Sequence, residues 1–224
     1  MAARLKHKAL RAEIVETCRA MNRRGINQGT SGNVSARVPE GFLITPSGVD
    51  YDDMSPAMIV PMDLDGGHAG KLKPSSEWRM HLDIYRTRAE AGAVVHTHAT
   101  HCTALSCLRL GIPAFHYMVA AAGGRDIRCA TYATFGTEKL SANMLKALAG
   151  RDACLLANHG MICLAGNLAR ALWLAGEVEA LARQFIAARQ IGEPNLLSGA
   201  EMDRVLTLFK GYGQPQQSST AMQK

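Results

Sequence analysis

The chain has 224 residues, 47% of them hydrophobic and 20% charged, with a formal net charge of +6. That balance suits one globular domain with a substantial core and excludes a disordered chain; no apolar run approaches the roughly 18 residues of a bilayer span, so no membrane partner is expected. The basic residues are dispersed without interleaved aromatics, which argues against nucleic acid, and the six cysteines form no CxxC pair, the usage expected of free thiols in a reducing cytoplasm.

Residues 4–24 carry Ala9, Ile14, Val15, Cys18 and Met21 at helical spacing and stop at Gly25. Charge runs through this stretch, so it reads as a helix and not as a signal peptide. Segments 33–38, 42–45 and 58–63 read as short strands punctuated by Gly and Pro. A polar loop over 63–76 leads to a helix over 76–90, with Trp78, Leu82 and Tyr85 as its core stripe. A buried strand over 93–97 and a helix over 101–109 follow. Residues 112–135 are irregular with short strands. Thr137 is placed to cap a helix over 137–149. Segments 153–158 and 161–165 form a tight strand pair around His159 and Gly160. A long helix follows Asn167, another covers about 199–210, and a polar, mobile tail ends the chain. Strands interleaved with helices, and two hairpin-like spacings, point to a two- or three-layer α/β arrangement with a mostly antiparallel sheet.

Chemistry is concentrated in "AVVHTHATHCTA". His96 and His98 are two apart on a strand, so they share a face, their bases about 7 Å apart. Two imidazoles so placed converge on one ion at bonds of about 2.0–2.1 Å. His101 is out of phase and falls where the next helix begins. A catalytic zinc usually takes three protein ligands. His159 is the best third, at the end of an apolar strand where a sharp turn before Gly160 aims it inward. His7, His68 and His81 are assigned to surface or core packing. His116 is ambiguous because it precedes Tyr117, a candidate catalytic tyrosine. Glu77 admits two readings. It complements a helix dipole in a first turn capped by Ser75 or Ser76, or it is a general base beside the metal.

Three loops, 27–35, 45–48 and 74–77, combine Gly with Ser, Thr or Asn and expose backbone N–H groups suited to phosphate oxygens. The last adds a helix N-terminus. None matches a nucleotide-binding fingerprint. With a basic chain, they favour a small phosphorylated ligand.

Seven motifs stand here in one order: "NQGTSGNVSAR", "FLITPSG", "KPSSEWRMH", "AVVHTHATHCTA", "IPAFHYMVAAAGG", "YATFGT" and "NHG". Over about residues 8–212 this resembles the class II aldolase/adducin family, and within it the branch that cleaves L-fuculose 1-phosphate. The resemblance implies an α/β three-layer α/β/α sandwich with a central, mostly antiparallel sheet. It implies a single domain over 1–212, with 213–224 as a flexible tail. It implies a homotetramer with sites between neighbouring subunits. A divalent cation, Zn2+ or alternatively Co2+ or Mn2+, would sit on His96, His98 and His159, with Glu77 as acid/base and as a further ligand of the empty metal. Gly32, Asn33, Ser47, Gly48, Ser75 and Ser76 would cradle the substrate phosphate. Tyr117, as proton relay, and Phe135 would reach in from the adjacent subunit, and Tyr212 would cover the site. The implied reaction is reversible cleavage of a deoxyketose 1-phosphate into dihydroxyacetone phosphate and a small aldehyde. Alternatives are a 5-methylthioribulose or 5-deoxyribulose 1-phosphate aldolase of nucleoside by-product salvage, a sibling epimerase, decarboxylase or dehydratase, and a non-catalytic adducin-like module. Thr97, Asn158 and Ser47 depart from the residues usual in that branch.

Overall fold

The structure, a computed structural model, describes residues 5–209. Helix α1 (Lys8–Arg23) buries Ile14, Val15, Cys18 and Met21, and the chain leaves it through the left-handed Gly25. Strands β1 (Asn33–Val38) and β2 (Gly41–Ile44) form a hairpin, and β3 (Val60–Met62) adds antiparallel to β2. Then come α2 (Trp78–Thr87), β4 (Ala93–Thr97) and α3 (Thr100–Cys107). The irregular stretch that follows holds one 3-10 turn (Tyr117–Ala122) and the two-residue β5 (Cys129–Ala130). The last elements are α4 (Glu138–Leu148), β6 (Ala153–Leu156), β7 (Gly160–Ala165), α5 (Leu168–Ile191) and α6 (Gly199–Phe209). Thr137 accepts the Leu140 N–H and Asn167 the Arg170 N–H, the side-chain caps that start α4 and α5.

The strands form one seven-stranded sheet in the order β3-β2-β1-β4-β7-β6-β5. Every pairing is antiparallel except β5 with β6. Alternation along each strand divides the core. Ala93 and Val95 of β4, with Val34 and Ala36 of β1, face one apolar cluster built from α1, α3, α5 and α6. Val94 of β4, with Ile162 and Leu164 of β7, faces a second built on α2 and α4. Helix, sheet and helix thus form three layers. His96 has the parity of Val94, so it falls on the α2 side.

Two details differ from the sequence expectation. Helix α2 begins at Trp78, so Glu77 precedes it. Ser75 accepts the Glu77 N–H through Oγ at 3.3 Å, and Glu77 makes no side-chain cap. All six cysteines are free, four of them buried. Among the described residues no helix is long and apolar enough to cross a membrane. Tyr212 and the 213–224 tail lie outside the described residues.

Candidate active site

Four side chains from three separate segments converge at the end of β4. His96 is held on both sides, its backbone paired with Asn33 of β1 and Ile162 of β7. Its Nδ1 donates to the Met161 carbonyl at 2.8 Å. With the ring proton placed there, Nε2 keeps its lone pair for the site. His98 follows the strand, and its Nε2 lies 3.2 Å from that of His96. His159 comes from the turn between β6 and β7, which closes with Leu156 opposite Gly160. Asn158 takes the left-handed bend at φ 54, a conformation Asn tolerates better than most residues. Helix α3 fixes this turn from behind. The Ser106 carbonyl accepts the Asn158 N–H at 3.0 Å, and Ser106 Oγ accepts the His159 N–H at 3.3 Å. The three imidazoles meet edge-on, with centroids 4.9 or 5.0 Å apart.

Glu77 completes the cluster. Its Oε2 is 3.0 Å from His96 Nε2 and accepts from Asn33 Nδ2 at 3.0 Å. Its Oε1 is buried 3.0 Å from His159 Nε2 yet accepts no hydrogen bond. Burial pushes the carboxyl up, but His96 and His159 outweigh it and hold it well below the usual carboxylate range. Burial opposes protonation of His96, yet Glu77 draws its pKa upward. Burial, then His96 and His159, push His98 down to about 4, which leaves it neutral and free to ligate at physiological pH. The helix-dipole reading of Glu77 therefore fails, because its carboxylate turns into the cluster.

The four ligand atoms lie within 4.8 Å of one another. Three imidazole nitrogens and a carboxylate oxygen left without a hydrogen bond form a donor set for a divalent cation, and the residues fit one. His101 stays outside, as its phase predicts. Its ring bonds Glu179 at 2.7 Å, and that carboxylate also accepts the His101 and Cys102 N–H groups at the start of α3.

The three Gly- and Ser-rich loops meet beside the cluster. The Ser75 N–H reaches the Thr45 carbonyl at 2.9 Å, and the Ser47 N–H reaches the Lys73 carbonyl at 3.1 Å. Tyr51 donates its hydroxyl to the Gly32 carbonyl, tying the first loop to the segment just after the second. Gly32 has no room for a side chain: a Cβ would sit 2.7 Å from the His96 carbonyl and 2.6 Å from Asn27 Oδ1. Gly32, Asn33 and Ser75 are buried, while Ser47, Gly48 and Ser76 face outward. Gly48 adopts φ +69, where a side chain would be strained.

The two aromatic candidates are both exposed. Tyr117 is 51% exposed, stacks on His116 at 4.9 Å and makes no hydrogen bond to the cluster among the described residues. Phe135, 65% exposed, precedes Gly136, where an added Cβ would lie 3.1 Å from the Ser76 carbonyl. Gly136 thus packs against the 74–77 loop. Thr97 points to the opposite face and donates to the Ile26 carbonyl, so this departure leaves the cluster untouched. His81, assigned from sequence to surface or core packing, is fully buried and bonded to Asn33 Oδ1 at 2.5 Å. The signal was available: His81 lies one helical turn beyond Glu77.

A family profile described as Class II Aldolase and Adducin N-terminal domain matches residues 12–186. A 5-methylthioribulose-1-phosphate/5-deoxyribulose-1-phosphate aldolase of Rhodospirillum rubrum is 53% identical over 205 residues, covering 92% of the chain and 93% of that relative. An L-fuculose phosphate aldolase of Escherichia coli K12 is 50% identical over 210 residues, covering 93% and 98%. A solved L-fuculose 1-phosphate aldolase superposes with a TM-score of 0.87 at 41% identity, covering 90% of the chain and 96% of its own.

Proposed function

The chain belongs to the class II aldolase and adducin family and is an aldehyde lyase of it, and we propose that it cleaves a deoxyketose 1-phosphate reversibly into dihydroxyacetone phosphate and a short aldehyde. The observation that carries this reading is the meeting of Glu77 with three imidazoles beside loops built for a phosphate. His96, His98 and His159 would hold a divalent cation. Zn2+ is the first choice for three imidazoles, with Co2+ or Mn2+ as alternatives. When bound, it supplies Lewis-acid stabilisation of the charge left on the retained three-carbon half.

The chain's own groups do the rest. Gly32, Asn33, Ser47, Gly48, Ser75 and Ser76 bind the phosphate and hold the sugar in register. Tyr117 of the adjacent subunit relays the proton of the C4 hydroxyl, accepting it while passing its own phenolic proton to solvent, as the C3–C4 bond breaks, with Tyr212 covering the site. The bonding pair stays with C3 and the aldehyde leaves; the ionised Glu77 takes up one proton from solvent and delivers it to C3, which balances the proton lost from the C4 hydroxyl. In reverse, Glu77 removes that proton. The assembly is a homotetramer with Tyr117 crossing between subunits. The free, largely buried thiols support a reducing compartment, the cytoplasm.

Identity to the Rhodospirillum rubrum relative favours a second substrate choice, 5-methylthioribulose or 5-deoxyribulose 1-phosphate. Incubating metal-loaded protein with these and with L-fuculose 1-phosphate, and assaying dihydroxyacetone phosphate, ranks the substrates by kcat/KM. Folded, metal-loaded protein that releases none from any of them overturns the proposal.

A further inference from the structure

A buried line of hydrogen bonds leaves Glu77 and runs back under β1. Asn33 Nδ2 lies 3.0 Å from Glu77 Oε2, and His81 Nε2 lies 2.5 Å from Asn33 Oδ1. His81 Nδ1 is 2.6 Å from Ser35 Oγ, which is 2.8 Å from the Tyr85 hydroxyl. All five residues are buried, His81 and Ser35 completely. The Arg37 guanidinium, 4.7 Å above the Tyr85 ring, closes the far end. Two periodicities bring these groups together. Asn33 and Ser35 alternate on one face of β1, while Glu77, His81 and Tyr85 stand four apart at the start and along one face of α2.

The charged end forces the direction of the line. An ionised carboxylate only accepts, so Asn33 must present its amide nitrogen to Glu77 and its oxygen to His81. That oxygen only accepts, so His81 carries its proton on Nε2. Burial pushes His81 down to about 3, so the ring is neutral and Nδ1 must accept. Ser35 therefore donates to His81, and Tyr85 to Ser35. Reversing one member alone sets two donors or two acceptors face to face where no water relieves them.

We propose that His81 is a positioning residue for the aldolase reaction: an Nε2-protonated imidazole that locks Asn33 with its N–H on Glu77 Oε2 and so reserves Oε1 for the travelling proton. The proposal rests on Glu77 as the proton carrier. No proton moves along the line; it fixes orientation only. Oε1 is the carboxylate oxygen that accepts no hydrogen bond.

One arm of the test needs no activity. Nitrogen NMR of labelled histidine in the metal-loaded wild-type protein should show His81 protonated at Nε2 alone through the neutral range. A ring protonated at Nδ1, or at both nitrogens, overturns the proposal. Kinetically, His81→Leu should lower kcat about tenfold or more, shift KM by less than about threefold and leave metal content unchanged. His81→Gln, whose amide nitrogen replaces the Nε2 donor, should recover most of that loss. In a Glu77→Gln background, His81→Leu should add nothing. An unchanged kcat in His81→Leu, or a full further loss in the Glu77→Gln background, overturns it. Wild-type turnover in Glu77→Gln alone sinks the Glu77 reading instead. If His81→Leu does not fold, the wild-type spectrum decides.

Discussion

His96 Nδ1 lies 2.8 Å from the carbonyl oxygen of Met161, on the neighbouring strand β7. The bond makes the strand pairing itself choose the tautomer, because the carbonyl only accepts and the ring proton must sit on Nδ1. The Nε2 lone pair is then aimed before any ion arrives. His159 depends instead on a turn, anchored through Ser106. Removing it leaves two imidazoles and one carboxylate. For His159→Ala, retained metal after dialysis should fall about tenfold or more, read by elemental analysis. Full occupancy in that variant would remove His159 from the ligand set.

Glu77→Gln preserves shape and keeps a group beside His159 while removing the carboxylate proposed as the proton carrier. Three imidazoles remain, so metal content should stay near that of the wild type. Turnover should drop by about a hundredfold or more, the usual weight of a positioned acid–base group. The measurement is steady-state release of dihydroxyacetone phosphate from metal-saturated enzyme. Turnover within a few-fold of wild type would return Glu77 to a purely structural role.

Gly160 marks where β7 starts, and no side chain fits there. A Cβ would stand 2.5 Å from the Thr97 carbonyl and 3.0 Å from His98 Cδ2. The first obstacle is backbone of β4, so the turn must shift and not merely a side chain. Gly160→Ala should therefore cost about 1–3 kcal/mol of stability, as overpacking does, and weaken metal retention by moving His98 and His159 apart. Urea denaturation and elemental analysis read the two effects. A variant with unchanged stability and metal content would show that the turn has room to relax.

The sequence made the cluster legible where local periodicity carried it. The two-residue step from His96 to His98 sets two rings on one face of a strand. His159 was found because Asn158, Gly160 and the apolar flanks mark a tight turn. The layered fold followed from alternation in β4 and β7 and from helical stripes such as that of α1. What stayed hidden were pairings between distant segments. Asn33 with Glu77 spans 44 positions, and Ser35 with His81 spans 46; no local pattern sets such a register. Glu77 itself was undecided because the start of α2 shifts by one or two residues. That small shift turns a dipole-complementing acid into one that faces three histidines.

His81 also makes stability depend on pH. Burial pushes its pKa from 6.5 down to about 3 in the fold. Between those values the unfolded chain binds a proton that the native state refuses. Stability then rises with pH, so it is lost as pH falls from about 6.5 toward 3, with a slope of up to about 1.4 kcal/mol per pH unit. His98, pushed down to about 4, acts with the same sign in metal-free protein. His81→Gln removes the first contribution. The difference in unfolding free energy between wild type and His81→Gln should be flat above about pH 7 and fall as the solution is acidified. A difference that stays constant to about pH 4 would mean that His81 protonates freely in the fold.

Tyr117 gives the sharpest test of shared sites. It is half exposed and makes no hydrogen bond to the Glu77 cluster of its own chain among the described residues. If each site takes Glu77 from one subunit and Tyr117 from the next, Glu77→Gln and Tyr117→Phe disable different halves of every site. Each single-variant assembly should then be nearly inactive. When the two chains are co-expressed in equal amounts and assemble at random, a site is intact only if both its contributors are wild type at the relevant position. That holds for about one quarter of the sites in a cyclic assembly. Activity per subunit should therefore recover to about one quarter of wild type, far above either parent and above their mean. A double variant carrying both changes on one chain, co-expressed with wild-type chains, should show the same one-quarter value, because here an intact site needs two wild-type neighbours. If instead both groups act within one chain, the mixed single variants recover nothing and the double-variant mixture keeps about half. The two mixtures thus give opposite signatures for the two arrangements.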